Sequence, residues 1–366
     1  MNIRPILKAP VSIQNQPAAR RVFVGTRWRR CAFPDDWAGS NPRRILELFD
    51  GKRSVHQIAQ QAGVEESLVL ALVEELRKHD FIDLERTPIS YLRRYNPEIG
   101  RIDYVSDTEN IFQDYAVEAF LNRMEIECDA ATLSPGDIDA GRSSVIKRRE
   151  FSILIFGHGK IVNALVGVLS ASGFSKLAVI NRVGSKHPSL KIQESDIAGS
   201  FISRSDIGQV RKNVVEEIRK SSALIAEPKI QIHKPDLIIS VGNPAPDAIQ
   251  RWMSDQSRHL LIDIPSSAEV RVGPMVIPGK TACFRCIQLS ENFNSHENLI
   301  TENPVRDVGS ALSLSVASAI ALDLIAFADR QESLFLATSL IYSMRHYQQP
   351  EIQRWSQHHA CGCAWN

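Results

Sequence analysis

Two pairs of cysteines carry the clearest chemistry in this chain. Cys283-Phe-Arg-Cys286 follows the turn Pro278-Gly279-Lys280, and Cys361-Gly-Cys363 stands near the end of the sequence. Each pair presents two sulfurs from one turn, and Gly362 permits the tight backbone that a one-residue spacer needs. Four thiolates fill the tetrahedral coordination sphere of Zn²⁺ and leave no position for water, so such a site is structural rather than catalytic. Its expected role is to pin the C-terminal segment onto the loop around residue 283, contributing on the order of 10 kcal/mol to folding. A redox role for Cys283 and Cys286 is the alternative, although the motif lies well outside the first β–α turn. His358 and His359 flank the second pair as substitute ligands; the all-cysteine set Cys283, Cys286, Cys361 and Cys363 is preferred. Cys31 and Cys128 stand alone.

Phosphate binding is the second chemistry to weigh. An apolar run over 151–156 leads into Gly157-His-Gly159 and then an apolar helical segment. Glycines in such a turn let backbone N–H groups approach a phosphate at a helix N-terminus. Val162 replaces the third glycine of the G-x-G-x-x-G pattern, and Asn181-Arg182 stands where a carboxylate would hold the ribose hydroxyls. A tight strand-to-helix turn kept for packing therefore accounts for Gly157 and Gly159 better than a bound nucleotide does.

Length and composition frame these sites. At 366 residues, with 43% hydrophobic and 23% charged residues, the chain is expected to be globular with two or three domains. Lys and Arg number 43 against 42 Asp and Glu, which excludes a global electrostatic pull toward nucleic acid or membrane. The first ten residues lack the apolar core of a secretory signal, so a cytoplasmic location and metal-bound rather than disulfide-bonded cysteine pairs are expected. The apolar stretch 311–328 is interrupted by Ser313, Ser315, Ser318 and Asp323, which reads as a buried helix and not a membrane span.

Three regions must position these residues: 1–86, 87–149 and 150–366. In the first, strand runs 21–25 and 29–33 precede three helices. Asn41 caps the first, with Pro42 at its first position; Ser54 starts the second and Gly63 closes it; the third spans about 65–78, with Leu68, Val69, Leu72, Val73 and Leu76 on one face. A strand over 81–84 follows, completing the order of a winged helix-turn-helix. The middle region is polar and reads as a connector with one helix around 114–124. In the third, strands at 151–156, 176–180, 236–241 and 260–263 alternate with helices at 161–172, 210–220 and 246–255. That alternation predicts an α/β fold with a mainly parallel, doubly wound sheet.

A family resemblance joins these parts. The run Glu269-Val-Arg-Val-Gly-Pro-Met-Val-Ile-Pro-Gly-Lys-Thr-Ala-Cys-Phe-Arg-Cys286 resembles the ThiF-like proteins, which adenylate ubiquitin-like carriers or peptides. The ending His358-His-Ala-Cys-Gly-Cys363 is similar to that of ThiF-like leader-peptide-binding cyclodehydratase partners in thiazole/oxazole-modified peptide biosynthesis. Residues 4–85, including Ile45-Leu-Glu-Leu-Phe-Asp-Gly51, are similar to their winged-helix recognition element for ribosomally made, modified peptides (RiPPs). The resemblance implies a ThiF-like, Rossmann-type sheet with an N-terminal winged-helix domain.

Carried over residue by residue, the adenylating pattern is depleted. The glycine turn falls on Gly157 and Gly159, and the ribose-binding acid on Asn181. Asp206-Ile-Gly208 survives, the lysine after it is Arg211, and the upstream arginine is absent, with Ala198 near its place. The Mg²⁺-binding aspartate falls on Asn243, so Mg²⁺·ATP loses a charge partner. No cysteine occupies the region where adenylating relatives place a thioester-forming nucleophile. The resemblance then implies a non-catalytic subunit, with structural zinc and no ATP or Mg²⁺, that presents a precursor peptide to a YcaO-type cyclodehydratase for azoline formation. A flavin-dependent dehydrogenase as a further partner and a homodimer belong to the same expectation.

Leader binding would proceed by strand addition to an exposed edge, with a neighbouring helix supplying pockets. The expected contacts are Arg29, Arg30, Cys31, Ala32 and Phe33 on the edge, and Val69, Leu72 and Val73 on the facing helix. Arg20, Arg21, Arg27, Arg29 and Arg30 suit an acidic leader, or form a solvated face. DNA binding by the third helix is disfavoured, because Glu65, Glu66, Glu74 and Glu75 oppose Arg77 and Lys78 there. The competing function is an adenylating enzyme that activates a peptide or carrier C-terminus with ATP, for which Asp247 is the nearest carboxylate to replace Asn243. A nicotinamide-dependent dehydrogenase fits the glycine turn and leaves the cysteine pairs unexplained.

Overall fold

The computed structural model describes residues 3–8, 11–26, 29–84, 95–96, 101–102, 123–132, 141–181, 191–197, 201–223, 232, 234–242, 244–291, 307–330 and 332–363. Two compact units divide the chain, Met1–Ile146 and Lys147–Asn366. The helix expected at 114–124 falls almost wholly outside the described residues.

In the first unit, β1 (Ile6–Leu7) precedes the antiparallel sheet β2 (Ser12–Gln16), β3 (Arg21–Gly25) and β4 (Arg30–Pro34). Three helices follow: α1 (Pro42–Leu46), α2 (Val55–Ala62) and α3 (Glu66–Lys78), then β5 (Ile82–Asp83), which pairs with β1. The helix starts obey local chemistry. The Asn41 side chain accepts from Arg43 N–H, Ser54 and Gln57 form a reciprocal capping box, and Gly63 closes α2 at φ 70°. Val22, Val24 and Phe33 from the sheet pack with Ile45, Ile58, Leu72 and Leu76 from the helices. Strand β2 is polar and mostly exposed, so it shows no apolar alternation in the sequence. The Lys8 ammonium is fully buried, bonded to Asp80 (3.1 Å) and the Thr132 carbonyl, which ties α4 (Glu125–Ala131) to this unit's core. Two-residue strands β6 (Tyr95–Asn96) and β7 (Arg101–Ile102) pair with each other. The boundary between the units falls within α5 (Arg142–Glu150).

The second unit is a seven-stranded mixed sheet in the order β14-β13-β12-β11-β10-β8-β9. Strands β8 (Ile153–Phe156), β9 (Leu177–Ile180), β10 (Leu237–Val241) and β11 (His259–Ser266) run parallel. Strands β12 (Glu269–Val276), β13 (Thr338–Ser343) and β14 (Glu351–Arg354) add an antiparallel flank that the sequence pattern does not announce. Helix α6 (Lys160–Ala171) joins β8 to β9, α7 (Arg211–Ser222) precedes β10, and α8 (Pro246–Ser254) joins β10 to β11. A short α9 (Phe284–Ser290) and a 21-residue α10 (Ser310–Arg330) complete the unit.

Side chains alternate across the strands, so neighbouring residues serve opposite faces. Leu260 and Ile262 join the large core with α6, α7 and α10, whereas Leu261 packs with Ile287 of α9 and Met253 of α8. Helix α10 is long and apolar enough to cross a membrane by length and composition, the only such helix among the described residues. Here Leu312, Val316, Ile320, Leu324 and Phe327 bury one side of it in the sheet core. Its last turn is held by Arg148, whose guanidinium makes a bidentate pair with Asp329 (2.7 and 3.0 Å), both side chains almost wholly buried.

Candidate functional site

The four paired cysteines converge. Cys283 Sγ lies 3.4 Å from Cys361 Sγ and 3.8 Å from Cys286 Sγ, and Cys286 Sγ lies 3.4 Å from Cys363 Sγ. All four ligand atoms fall within 4.8 Å of one another. Thiolates about 2.3 Å from one tetrahedral zinc stand about 3.8 Å apart, so donor type, number and spacing are compatible with a structural zinc. The chain builds this cluster by placing Cys283 at the N-cap of α9 and by a left-handed Gly362 at φ 75°. The His358 N–H donates to Cys286 Sγ at 3.3 Å. The His358 ring instead accepts from Ala360 N–H and stacks on His359. Burial, with the neighbouring thiols adding to it, pushes Cys361 and Cys363 up to about 11. A bound cation would favour the thiolate forms of Cys361 and Cys363 at neutral pH.

The glycine turn lies at the C-terminal end of β8, where parallel sheets bind ligands. Gly157 (φ 138°) and Gly159 (φ 94°) both hold positive φ, and a Cβ on Gly157 would meet the Val241 carbonyl at 2.8 Å. The Gly157 N–H is already bonded to the Ile180 carbonyl. Val162 is fully buried and packs beneath the turn. At the first turn of α6, Asp307 occupies the position of a bound anion: its Oδ1 accepts from Lys160 N–H at 3.2 Å and from Val308 N–H at 2.9 Å. A Cβ on Gly159 would lie 3.1 Å from that same oxygen. Burial, helped by Asp196, raises the Asp307 pKa despite the two N–H donors and Lys160.

Arg211, at the start of α7, is engaged too. Its guanidinium makes a buried bidentate pair with Asp196 (2.9 and 2.8 Å) and also reaches the Lys191 carbonyl at 3.4 Å. Asp196 accepts in addition from Gln193 N–H. Burial, with Arg211 nearby, lowers the His158 pKa and keeps that ring neutral at pH 7. Asn181 Oδ1, at the end of β9, is buried and finds no hydrogen-bond partner among the described residues. Asp247 is exposed and paired with Arg251 at 3.1 Å. Asn243, Arg182 and Ala198 lie outside the described residues. Sequence reasoning missed Asp307 and Asp196, because nothing in linear spacing brings residue 307 to residue 160.

The expected peptide edge is only partly open. Strand β4 pairs with β3 alone among the described residues, with Gly25 opposite Arg30 and Val22 opposite Phe33. Arg30 and Ala32 face outward, and the Arg30 guanidinium lies over the Phe23 ring at 4.9 Å. Arg29 donates to the His79 carbonyl at the C-terminal end of α3. Cys31 is half-buried; burial chiefly, with Glu75 of α3 adding to it, pushes its thiol up to about 11. Phe33, Val69, Leu72 and Val73 are 0 to 1% exposed, packed into the unit's own core. That corrects the expectation that they line a pocket: helix α3 turns its apolar face inward, leaving Glu75 near Cys31 and the His79 carbonyl on Arg29. Arg27 lies outside the described residues.

This combination of mixed sheet, glycine turn and cysteine-anchored C-terminal segment defines a ThiF-like α/β fold. Whole solved structures share it: E. coli MccB crystallised with AMPCPP and MccA superposes with a TM-score of 0.64 at 16% identity, covering 99% of both chains. The microcin C7 biosynthetic enzyme MccB in complex with N-formylated MccA gives 0.63 at 15% identity, over 98% of this chain and 99% of that one. PaaA gives 0.60 at 12% identity, over 96% of this chain and all of the other. No protein-family model and no curated protein sequence matches the chain.

Proposed function

We propose that this chain is a peptide-handling ThiF-like protein of peptide-antibiotic biosynthesis that binds a precursor peptide and activates its C-terminal end with ATP. The observation that carries this reading is the whole-length likeness, both units included, to MccB solved with AMPCPP and MccA. The chemistry would be attack of the peptide's C-terminal carboxylate on the α-phosphorus of ATP, forming a P–O bond and releasing pyrophosphate. In this chain, β4 would accept the leader as an added strand, with Arg29, Arg30, Cys31 and Ala32 at the contact. The cysteine cluster would hold zinc and anchor the C-terminal segment.

A second reading is favoured by one specific observation: Asp307 accepts the first N–H of α6, and Asp196 engages the Arg211 guanidinium. On that reading the chain is a non-catalytic subunit that holds the precursor for a YcaO-type cyclodehydratase, which carries the ATP chemistry. Holding raises effective concentration at the partner's site without supplying a catalytic group. Peptide-stimulated ATP–pyrophosphate exchange by the purified chain separates the two. Exchange supports the first reading; absence of exchange, with azoline formation by YcaO enzyme depending on this chain, supports the second and overturns the first.

A further inference from the structure

At the glycine turn a carboxylate already sits on the first N–H of the helix: Lys160 N–H donates to Asp307. The N-terminal end of a helix carries partial positive charge and unsatisfied N–H groups, which is why it attracts anions. At α6 the residue at the cap is Gly159, which has no side chain to supply an acceptor. The acceptor comes from 147 residues downstream, as Asp307 Oδ1 on Lys160 N–H. The guanidinium of Arg211, close enough to act on His158, is bonded through two nitrogens to Asp196. Formal charge within this cluster sums to zero over Lys160, Arg211, Asp196 and Asp307 with His158 neutral.

We propose that Asp307 is a resident anion that closes the glycine turn to nucleoside phosphates in the free chain. It does so in two ways: its oxygen fills the space beside Gly159, and its charge repels an incoming phosphate at short range. A ligand must displace the side chain, or the chain binds no nucleotide there at all. The inference rests on the reading of this turn as the phosphate site of a ThiF-like fold, and it states what controls that site. Asp307 also accepts from Val308 N–H, immediately before α10, so withdrawal of the carboxylate would leave both N–H groups available.

The test uses the full chain and a fluorescent ATP analogue with Mg²⁺, without peptide. Asp307→Ala removes both bulk and charge, and Asp307→Asn keeps the acceptor while removing charge. Thermal melting verifies that each variant folds, and Asp307→Asn, which can retain both hydrogen bonds, guards against a collapsed Asp307→Ala protein. The expected result is tightening by about tenfold or more for Asp307→Ala, with Asp307→Asn between it and the parent chain. Equal affinity in all three folded proteins, including equal failure to bind, overturns the inference. Peptide-stimulated pyrophosphate exchange, measured on the same samples, reports on the proposed function separately: loss of exchange with a gain in nucleotide affinity sinks that reading and leaves this one standing.

Discussion

Replacing Cys286 by serine removes the most deeply buried of the four clustered sulfurs and leaves the packing volume nearly unchanged. Cys286 contacts two of the other three thiols and receives the His358 N–H, so the substitution strikes the centre of the cluster. A structural metal can contribute on the order of 10 kcal/mol in peptides that have no other core. Here the cluster is a satellite of a large sheet core, joined by Leu261, Val276, Ala282 and Ile287, so only α9 and the segment after β14 depend on it. We therefore expect a loss of about 5 kcal/mol, at the upper end of single-residue effects. In a unit of this size that corresponds to a fall of roughly 10–20 °C in the melting temperature. Elemental analysis of the parent chain should give one zinc per chain, and Cys286→Ser should carry far less. Native thiol titration adds a second measurement, in which chelator treatment exposes Cys283, Cys286, Cys361 and Cys363 together. A metal-free parent chain, or a variant with full metal content and an unchanged melting curve, refutes the reasoning.

Three further outcomes follow from the geometry. Arg148→Ala strands the buried Asp329 carboxylate and should cost about 3–5 kcal/mol in urea unfolding, whereas the paired replacement by apolar residues of similar size should cost much less. His259 is fully buried against Trp252, and burial holds its pKa at about 4, below the ordinary 6.5. The unfolded chain binds that proton first, so stability should fall as pH drops from 6.5 toward 4, by up to about 3 kcal/mol, and His259→Phe should flatten the slope. Arg30→Glu reverses charge on the exposed edge strand and should weaken an acidic leader peptide about tenfold in fluorescence polarisation at low salt, with melting unchanged and the effect shrinking as salt rises.

What the sequence made legible was whatever local chemistry dictates. Asn41, Ser54 and Gly63 mark helix ends because caps are satisfied within a few residues, and the apolar runs at 153–156 and 237–241 read as strands because both faces are buried. The cysteine pairs were legible through spacing alone. Strands β2, β13 and β14 were not, since they lie at or beside sheet margins where polar residues replace the alternation. The apolar stripe of α3 was found correctly, but its use was not: the same period serves a core as readily as a pocket, and Val69, Leu72 and Val73 went to the core. Depletion at the glycine turn could be read from Val162 and Asn181, whereas the carboxylate seated on Lys160 required the fold to bring residue 307 there.

Both margins of the large sheet are strands of four residues, Leu177–Ile180 on one side and Glu351–Arg354 on the other. So short a stretch offers little open backbone for a stray chain to pair with, and the second margin carries opposite charges at its two ends. The architecture thus keeps intermolecular strand pairing away from the broad parallel sheet. Among the described residues, the two margins of the small N-terminal sheet, Ser12–Gln16 and Arg30–Pro34, are longer at five residues each and offer more backbone to an added strand.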